Sequence, residues 1–213
     1  MEPGETAREK SKEERAPFVF GVSGHRDLVA SDIPELRRQL DIVFARFCAA
    51  HSACQFQLLT PLAEGADRLA AEVALAHGIN LWVPMPMAQA DYERDFTAPE
   101  SLAEFRRLLG FAERVWRIDS PANTSRDDQY AAVGDFIART SHVLVLFWDG
   151  QLNEMKGGTG WVKLRRDHWI GSAGMNPGPP GYVGTIQIVT PRATGAKRGE
   201  RQPRIEVKGE LPA

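Results

Sequence analysis

Three loops of the 213-residue chain combine glycine with charged or hydroxyl side chains, a composition typical of sites that bind anions. The first loop follows an apolar run and holds Ser23, Gly24, His25 and Arg26. Glycine lets a ligand approach the backbone, and a guanidinium holds an anion in a planar fork, so this loop predicts a phosphate or carboxylate contact. A strand-to-helix turn with a solvated Arg26 is an equally good interpretation of this loop alone.

The second loop carries two carboxylates next to a glycine, at the start of a predicted helix. Its candidate ligand-binding residues are Ala63, Glu64, Gly65, Asp67 and Arg68. Carboxylates at a helix start can cap backbone amides, and they can also accept hydrogen bonds from ribose hydroxyls or a base. The pattern therefore indicates either a sugar contact or a helix cap.

The third candidate loop consists of Gly157, Gly158, Thr159 and Gly160. Consecutive amides with small side chains, leading into a helix, can surround an anionic group. This loop follows Val143–Trp148, the most apolar run of the chain, which is typical of a central strand in a parallel sheet. That position favours a phosphate-binding loop over a flexible connector.

The elements that must position these loops alternate between strands and helices. Strands are predicted at 18–22, 56–60, 79–83, 115–118, 143–148 and 186–189, with helices beginning near 31, 66, 92, 102, 127 and 161. The alternation predicts an α/β fold, with an open, mainly parallel Rossmann-like sheet and helices on both faces, in one domain over residues 17–191. Ligands of such sheets bind outside the carboxyl ends of the strands. That rule selects the three loops and Pro84–Pro86, and it places Asp91 and Tyr92 at the border of the pocket.

The same loops resemble those of a known family. Gly21–Arg26, Thr60–Ala70 and Gly157–Gly160 are similar to the three loops of the SLOG superfamily, a Rossmann-like group that includes DNA processing proteins and the Lonely Guy phosphoribohydrolases. The similarity extends from about Phe18 to Val189. It implies a nucleotide or nucleotide-derived ligand lying across the loops, often in the sensor module of a bacterial defence or signalling system.

One departure from this family bears on catalysis. The phosphoribohydrolases follow their glycine loop with acidic residues, whereas Gly160 is followed here by Trp161, Val162 and Lys163. Cleaving a glycosidic bond requires a carboxylate that stabilises positive charge or activates water, and a lysine opposes that charge. Glu64 could replace the missing acid, but we assign no catalytic residue and expect binding without efficient turnover.

Composition and charge bear on partners and location. Because 26 Lys and Arg stand against 28 Asp and Glu, the formal net charge is −2, and nucleic acid is not expected as a partner. Arg165 and Arg166 are expected on the outward, charged face of a helix. No apolar run approaches the roughly 20 residues needed to span a bilayer, and the N-terminus lacks a secretory pattern. We therefore expect a cytoplasmic protein without a membrane contact.

Cysteine content and the chain ends complete the expectations. Cys48 and Cys54 are predicted to be free thiols, because two cysteines cannot make a disulfide framework and no export signal indicates an oxidising compartment. With His51 they would leave a tetrahedral metal site incomplete. We expect neither a metal nor another cofactor, and a homodimer stays an open alternative. Residues 1–16 are predicted to be a disordered charged tail, and 192–213 a polar, flexible one.

Three functional hypotheses follow from these patterns. In the first, the chain is a sensor or regulatory module for a nucleotide or nucleotide-derived ligand, such as ADP-ribose, an NAD-like molecule or a nucleoside phosphate. The alternative is an N-glycoside hydrolase that acts on a nucleoside monophosphate or an NAD derivative. The third is a single-stranded DNA-binding module.

Overall fold

A sheet of seven strands forms the centre of the part of the chain that the structure describes. The computed structural model describes residues 16–121, 123–152, 155–172, 181–193 and 205–212. Its strands are β1 (Pro17–Gly24), β2 (Gln55–Leu59), β3 (Asn80–Met85), β4 (Ala112–Arg117), β5 (Val143–Trp148), β6 (Gly184–Val189) and β7 (Val207–Lys208). Their spatial order is β4-β3-β2-β1-β5-β6-β7, and all neighbouring strands pair in parallel except β6 and β7.

Helices cover both faces of this sheet, which confirms the predicted α/β fold. They are α1 (Ile33–Ala50), α2 (Ala66–Ala76), α3 (Gln89–Tyr92), α4 (Pro99–Leu109), α5 (Arg126–Thr140) and α6 (Thr159–Gly171). The apolar residues of α1, α2 and α4 pack into a core on one face, and those of α5 and α6 into a second core on the other. Of the helices in the described ranges, none is both long enough and apolar enough to cross a membrane.

The chain reverses direction along the sheet between β1 and β5. It runs outward from β1 through β2 and β3 to β4, then crosses back to place β5 on the other side of β1. Gly24 at the end of β1 pairs in register with Phe147 of β5. Because the loops after these two strands lead to opposite sides, a crevice forms between their carboxyl ends.

Part of the segment predicted to be a flexible C-terminal tail lies on the sheet. Val207–Lys208 pairs antiparallel with Gln187 and Ile188 of β6, and Arg192 forms a β-bridge with Leu28. Without β7, β6 would be an edge strand with unpaired backbone groups, and pairing satisfies them. The polar composition of the segment gave no sign of this backbone contact. The predicted bounds of the domain stay a prediction, and the predicted N-terminal tail lies outside the described residues except for its last residue.

One arginine of α6, Arg166, is buried, whereas the sequence predicted it on the outward, charged face of the helix. Arg166 is fully buried, and its two terminal nitrogens donate to four backbone carbonyls at 2.7–2.9 Å. Those oxygens belong to Ala138, Ser141, His142 and Gly184. The last carbonyls of a helix lack intrahelical donors, and the guanidinium supplies donors at the end of α5. Burial lowers the pKa of Arg166 to about 10.

We predict that Arg166→Ala lowers the free energy of unfolding by about 3 kcal/mol or more, because several buried carbonyls lose a donor at once. Chemical denaturation monitored by circular dichroism measures the change. Arg165→Ala is the matched control, since Arg165 lies on the same helix as Arg166, is partly exposed and pairs with Asp135 of α5. That control should cost no more than about 1 kcal/mol. Equal losses in the two variants would contradict the role given to Arg166.

Candidate functional site

A pocket of about 440 Å³ opens at the crevice between the ends of β1 and β5. Small-molecule sites commonly enclose roughly 300 to 1,000 Å³, so the pocket has room for a nucleotide-sized ligand. The residues that line it are Val22, Ser23, Gly24, His25, Arg26, Asp27, Pro61, Ala63, Asp67, Tyr92, Asp127, Tyr130, Val133, Gly134, Ile137, Met155, Lys156, Gly157, Gly158, Thr159, Val162 and Arg192.

The loop after β1 forms one wall, and its backbone is bonded to both neighbouring elements. The His25 N–H donates to the Phe147 carbonyl at 3.1 Å, and the His25 carbonyl accepts from the Ala66 N–H at 3.1 Å. A Cβ at Gly24 would lie 2.4 Å from the Cβ of Ala66 and 2.7 Å from that of Phe147. Gly24 is therefore required by the packing of the loop between α2 and β5, independently of any ligand.

Gly65 allows the start of α2 to approach the same loop. Its φ is +76°, and a Cβ there would lie 2.4 Å from the Arg26 carbonyl oxygen and 2.5 Å from that of His25. No side chain fits at this distance from a backbone oxygen. Gly65 thus allows the second loop to pack against the first. Gly65 itself does not line the pocket.

The His25 side chain connects the first loop to the loop after β5. Its Nε2 accepts from the Asp149 N–H at 3.0 Å, so the neutral ring carries its proton on Nδ1. Burial lowers the pKa of His25, and the nearby Arg192 lowers it further. Arg192 in turn donates from Nε to the Asp149 carboxylate at 3.0 Å. His25 positions the two loops relative to each other while remaining uncharged.

Asp67 contributes a buried carboxyl to the pocket. The Ala63 N–H donates to its Oδ2 at 3.2 Å, and the Thr60 hydroxyl is a further hydrogen-bond partner. Burial raises the pKa of Asp67 to about 7, although the charge of Arg26 opposes the rise. Near neutral pH this carboxyl can therefore either accept or donate a hydrogen bond.

Tyr92 lies beside Asp67, with its ring packed against Phe96 and Phe105 at centroid distances of 5.1 and 5.6 Å. Its hydroxyl is buried and has no hydrogen-bond partner within the described residues. Burial raises the pKa of Tyr92, and the charge of Asp67 raises it further, so the phenol stays protonated. Tyr92 lines the same pocket as Asp67 and Arg26.

Arg26 provides a positive charge at the exposed rim of the pocket. Its guanidinium lies 5.4 Å from the centre of the Tyr130 ring, which holds the side chain over the opening. Within the described ranges, Arg26 forms no ion pair. The cation is therefore available to an anionic ligand.

The first turn of α6, together with the loop that leads into it, forms another wall of the pocket. Gly157, Gly158 and Thr159 line the pocket here, at the start of a helix of 13 residues. The first N–H groups of a helix have no intrahelical acceptor, and the helix dipole adds partial positive charge at this end. This turn offers backbone donors to an anion.

An apolar surface completes the pocket between these polar ends. Val133, Gly134 and Ile137 contribute it from α5, and Val162 from α6. A Cβ at Gly134 would lie 2.8 Å from a methyl carbon of Val162, so this glycine lets the two helices approach closely. The surface can contact a flat or apolar part of a ligand, such as a base.

The structure brings together nine of the predicted binding residues in the pocket lining: Ser23, Gly24, His25, Arg26, Ala63, Asp67, Gly157, Gly158 and Thr159. Their role in ligand binding stays a prediction. Tyr92, which the sequence placed at the border of the pocket, is also in the lining, whereas Asp91 and Pro84–Pro86 are not.

Four predicted residues lie outside the lining, and Gly65 has been described above. Glu64 accepts a hydrogen bond from the Ser101 hydroxyl on the side of α4. Arg68 is buried, donates to the Leu62 carbonyl at 3.1 Å and has its guanidinium 4.6 Å from the Phe96 ring centre. Gly160 faces Trp148 and Leu152, with a Cβ position 3.5 and 3.4 Å from them. These contacts hold the loops to the rest of the fold.

Sequence reasoning missed the wall contributed by α5 and the cations Lys156 and Arg192. Helical spacing predicted α5, but it did not show that one end of its apolar stripe faces a cavity. Gly134 was the available signal, because glycine in a helix interior lowers helix stability and often marks a close approach.

Comparison with solved structures finds similar folds, two of which are described here. The chain shares 15% identity and a TM-score of 0.47 with DNA processing protein A (DprA) from Streptococcus pneumoniae, over 76% of this chain and 49% of that one. It shares 13% identity and a TM-score of 0.37 with DNA processing protein A from Helicobacter pylori, over 78% and 77%. The chain thus spans about half the length of the first protein. No family model and no curated protein matches the sequence.

The second comparison corrects the expectation on nucleic acid. The Helicobacter pylori protein is described by its single-stranded DNA binding mode, which contradicts the expectation that nucleic acid is an unlikely partner. Net charge was the basis of that expectation, and it is a property of the whole chain. A local group of cations can attract a phosphate on a protein of net negative charge.

We predict that the stability of the wild-type protein relative to Asp67→Asn falls as pH rises from about 5 to 7. The pKa of Asp67 is about 7 in the folded protein against 3.8 as the ordinary value, so the folded state retains a proton that the unfolded state releases. Asparagine does not titrate, and the other groups are common to both proteins. Thermal unfolding at a series of pH values measures the difference, and a difference independent of pH would contradict the prediction.

Proposed function

We propose that the chain binds a phosphate-bearing nucleotide or nucleotide-derived molecule in this pocket, as a sensor or regulatory module. The observation that supports it best is that Arg26, which has no ion pair among the described residues, and the first turn of α6 line one cavity of nucleotide size. Both groups favour an anion, and they come from segments far apart in the chain.

The phosphate is assigned to the rim, between Arg26 and the backbone amides of Gly157 and Thr159, because the Gly158 N–H already donates to the Met155 carbonyl at 3.1 Å. A guanidinium can donate two parallel hydrogen bonds to phosphate oxygens, and charge-assisted bonds of this kind are stronger than neutral ones. The helix start adds donors and partial positive charge. His25 stays neutral, so it adds no charge of its own to this end.

The base or another flat group is assigned to the apolar surface of α5 and α6. Val133, Ile137 and Val162 offer hydrocarbon contacts there, and the removal of such contacts from water favours binding. Among the described residues, Val133, Ile137 and Val162 have no hydrogen-bonding side chain that would select one base. The proposal therefore concerns a class of nucleotide ligands.

The hydrolase alternative depended on Glu64 as a replacement acid. Its carboxylate accepts from Ser101 and does not line the pocket. A general acid or base must lie within hydrogen-bond reach of the reacting atoms. The geometry therefore favours binding over glycosidic cleavage by Glu64.

Single-stranded DNA is the second candidate ligand. Arg26, Lys156 and Arg192 all line the pocket, and a strand presents the same phosphate and base as a free nucleotide. The Helicobacter pylori protein of similar fold binds single-stranded DNA. In this case one nucleotide of the strand would enter the pocket while its neighbours remain outside.

We predict that Arg26→Ala weakens the binding of AMP by about 10- to 100-fold, the scale of one or two charge-assisted hydrogen bonds. Isothermal titration calorimetry measures the affinity, after a thermal-shift screen with AMP, ADP-ribose, NAD and cyclic nucleotides. Arg38→Ala is the control, because Arg38 is exposed on α1 and paired with Glu35. Unchanged affinity in Arg26→Ala would remove this residue from the site.

A competition experiment separates the two candidate ligands. A fluorescein-labelled oligo-dT strand is titrated with the protein, and the complex is then challenged with AMP. If the pocket is a nucleotide site, AMP displaces any strand that enters it. Tight strand binding that nucleotides do not displace would favour the DNA-binding module and contradict the small-molecule proposal.

A further inference from the structure

We propose that Asp67 and Tyr92 form a sugar-hydroxyl subsite, through which the pocket selects ribonucleotides over deoxynucleotides. The inference rests on the proposed function, since it assumes that a nucleotide occupies the pocket. It concerns the sugar of the ligand, which the groups assigned to the phosphate do not contact.

The first observation is the unpaired hydroxyl of Tyr92. The side chain is fully buried, and its hydroxyl has no partner within the described residues. A buried polar group without a partner destabilises a protein, and phenylalanine would fill the same space without that cost. A ligand atom that accepts the O–H hydrogen bond would account for the tyrosine.

The second observation is the carboxyl of Asp67 in the same part of the pocket. The Ala63 amide and the Thr60 hydroxyl already donate to it, which orients the side chain. The carboxylate still has accepting capacity for a further donor. Asp67 and Tyr92 both line the pocket.

A donor and an acceptor in the lining of one pocket match two neighbouring hydroxyls. One ribose hydroxyl can donate to Asp67 while the other accepts from Tyr92, so both buried groups are paired. A deoxyribose lacks one hydroxyl and leaves one of them without a partner, which is a strong basis for discrimination.

The position of Arg26 connects this pair to the phosphate. Arg26, Asp67 and Tyr92 all line this pocket. Arg26 is exposed at the rim, whereas the other two are buried. A nucleotide can therefore place its sugar at the inner pair and its phosphate at the rim.

The test compares ribonucleoside 5′-monophosphates with their 2′-deoxy and 3′-deoxy counterparts by isothermal titration calorimetry. Wild-type protein should bind the ribose forms about tenfold or more tightly than either deoxy form. The Tyr92→Phe variant should bind the ribonucleotides about tenfold more weakly than wild type does. It should bind the deoxy form that lacks the hydroxyl contacted by the phenol as tightly as wild type does. Tyr182→Phe is the matched control, because the Tyr182 hydroxyl donates to the Glu210 carbonyl away from the pocket.

Each contrary result has a distinct meaning. Equal affinity for ribose and deoxyribose forms overturns the subsite but leaves the proposed function standing, whereas no binding of any monophosphate overturns both. An equal loss for all ligands in Tyr92→Phe also overturns the subsite. Thermal unfolding gives a further check: Tyr92→Phe should be at least as stable as wild type, and a marked loss of stability would assign the hydroxyl a structural partner instead.

Discussion

The site depends on the close approach of the β1 loop to the start of α2 and the end of β5. Backbone hydrogen bonds from His25 hold the loop on both sides, and there is no room for a Cβ at Gly24 or Gly65. This packing places the first two loops against each other, and the His25 imidazole joins them to the loop after β5. Because close-packed backbone has few alternative arrangements, the walls of the pocket are largely formed before any ligand arrives.

The distribution of charge in the pocket follows from burial. Arg26 lies at the rim, where water stabilises its charge, while His25, Asp67 and Tyr92 lie deeper and have pKa values shifted toward their neutral forms. An ionised aspartate repels a phosphate, and the raised pKa of Asp67 makes protonation, which removes that repulsion, easier near neutral pH. The fold therefore keeps an acidic hydrogen-bonding group and the exposed cation of Arg26 in one pocket.

Burial also separates the arginines of this chain by role. Arg166 and Arg68 are buried and donate to backbone carbonyls, so they hold loops and helix ends together. Arg26 is exposed and unpaired within the described ranges, which leaves it available to a ligand. All three residues are arginines, so the residue type does not explain their different roles. The difference lies in which carbonyls, rings and solvent surround each guanidinium.

The sequence by itself determined the α/β class, the order of strands and helices, and the three loops at the carboxyl ends of the strands. These features follow from local periodicity and from glycine, which act within a few residues along the chain. The tertiary structure decided the rest, including the α5 wall, the inward position of Arg166 and the pairing of Val207–Lys208 with β6. It also turned Glu64 and Arg68 away from the pocket and left the Tyr92 hydroxyl without a partner. Each of these outcomes depends on contacts between residues far apart in the chain, which no local pattern specifies.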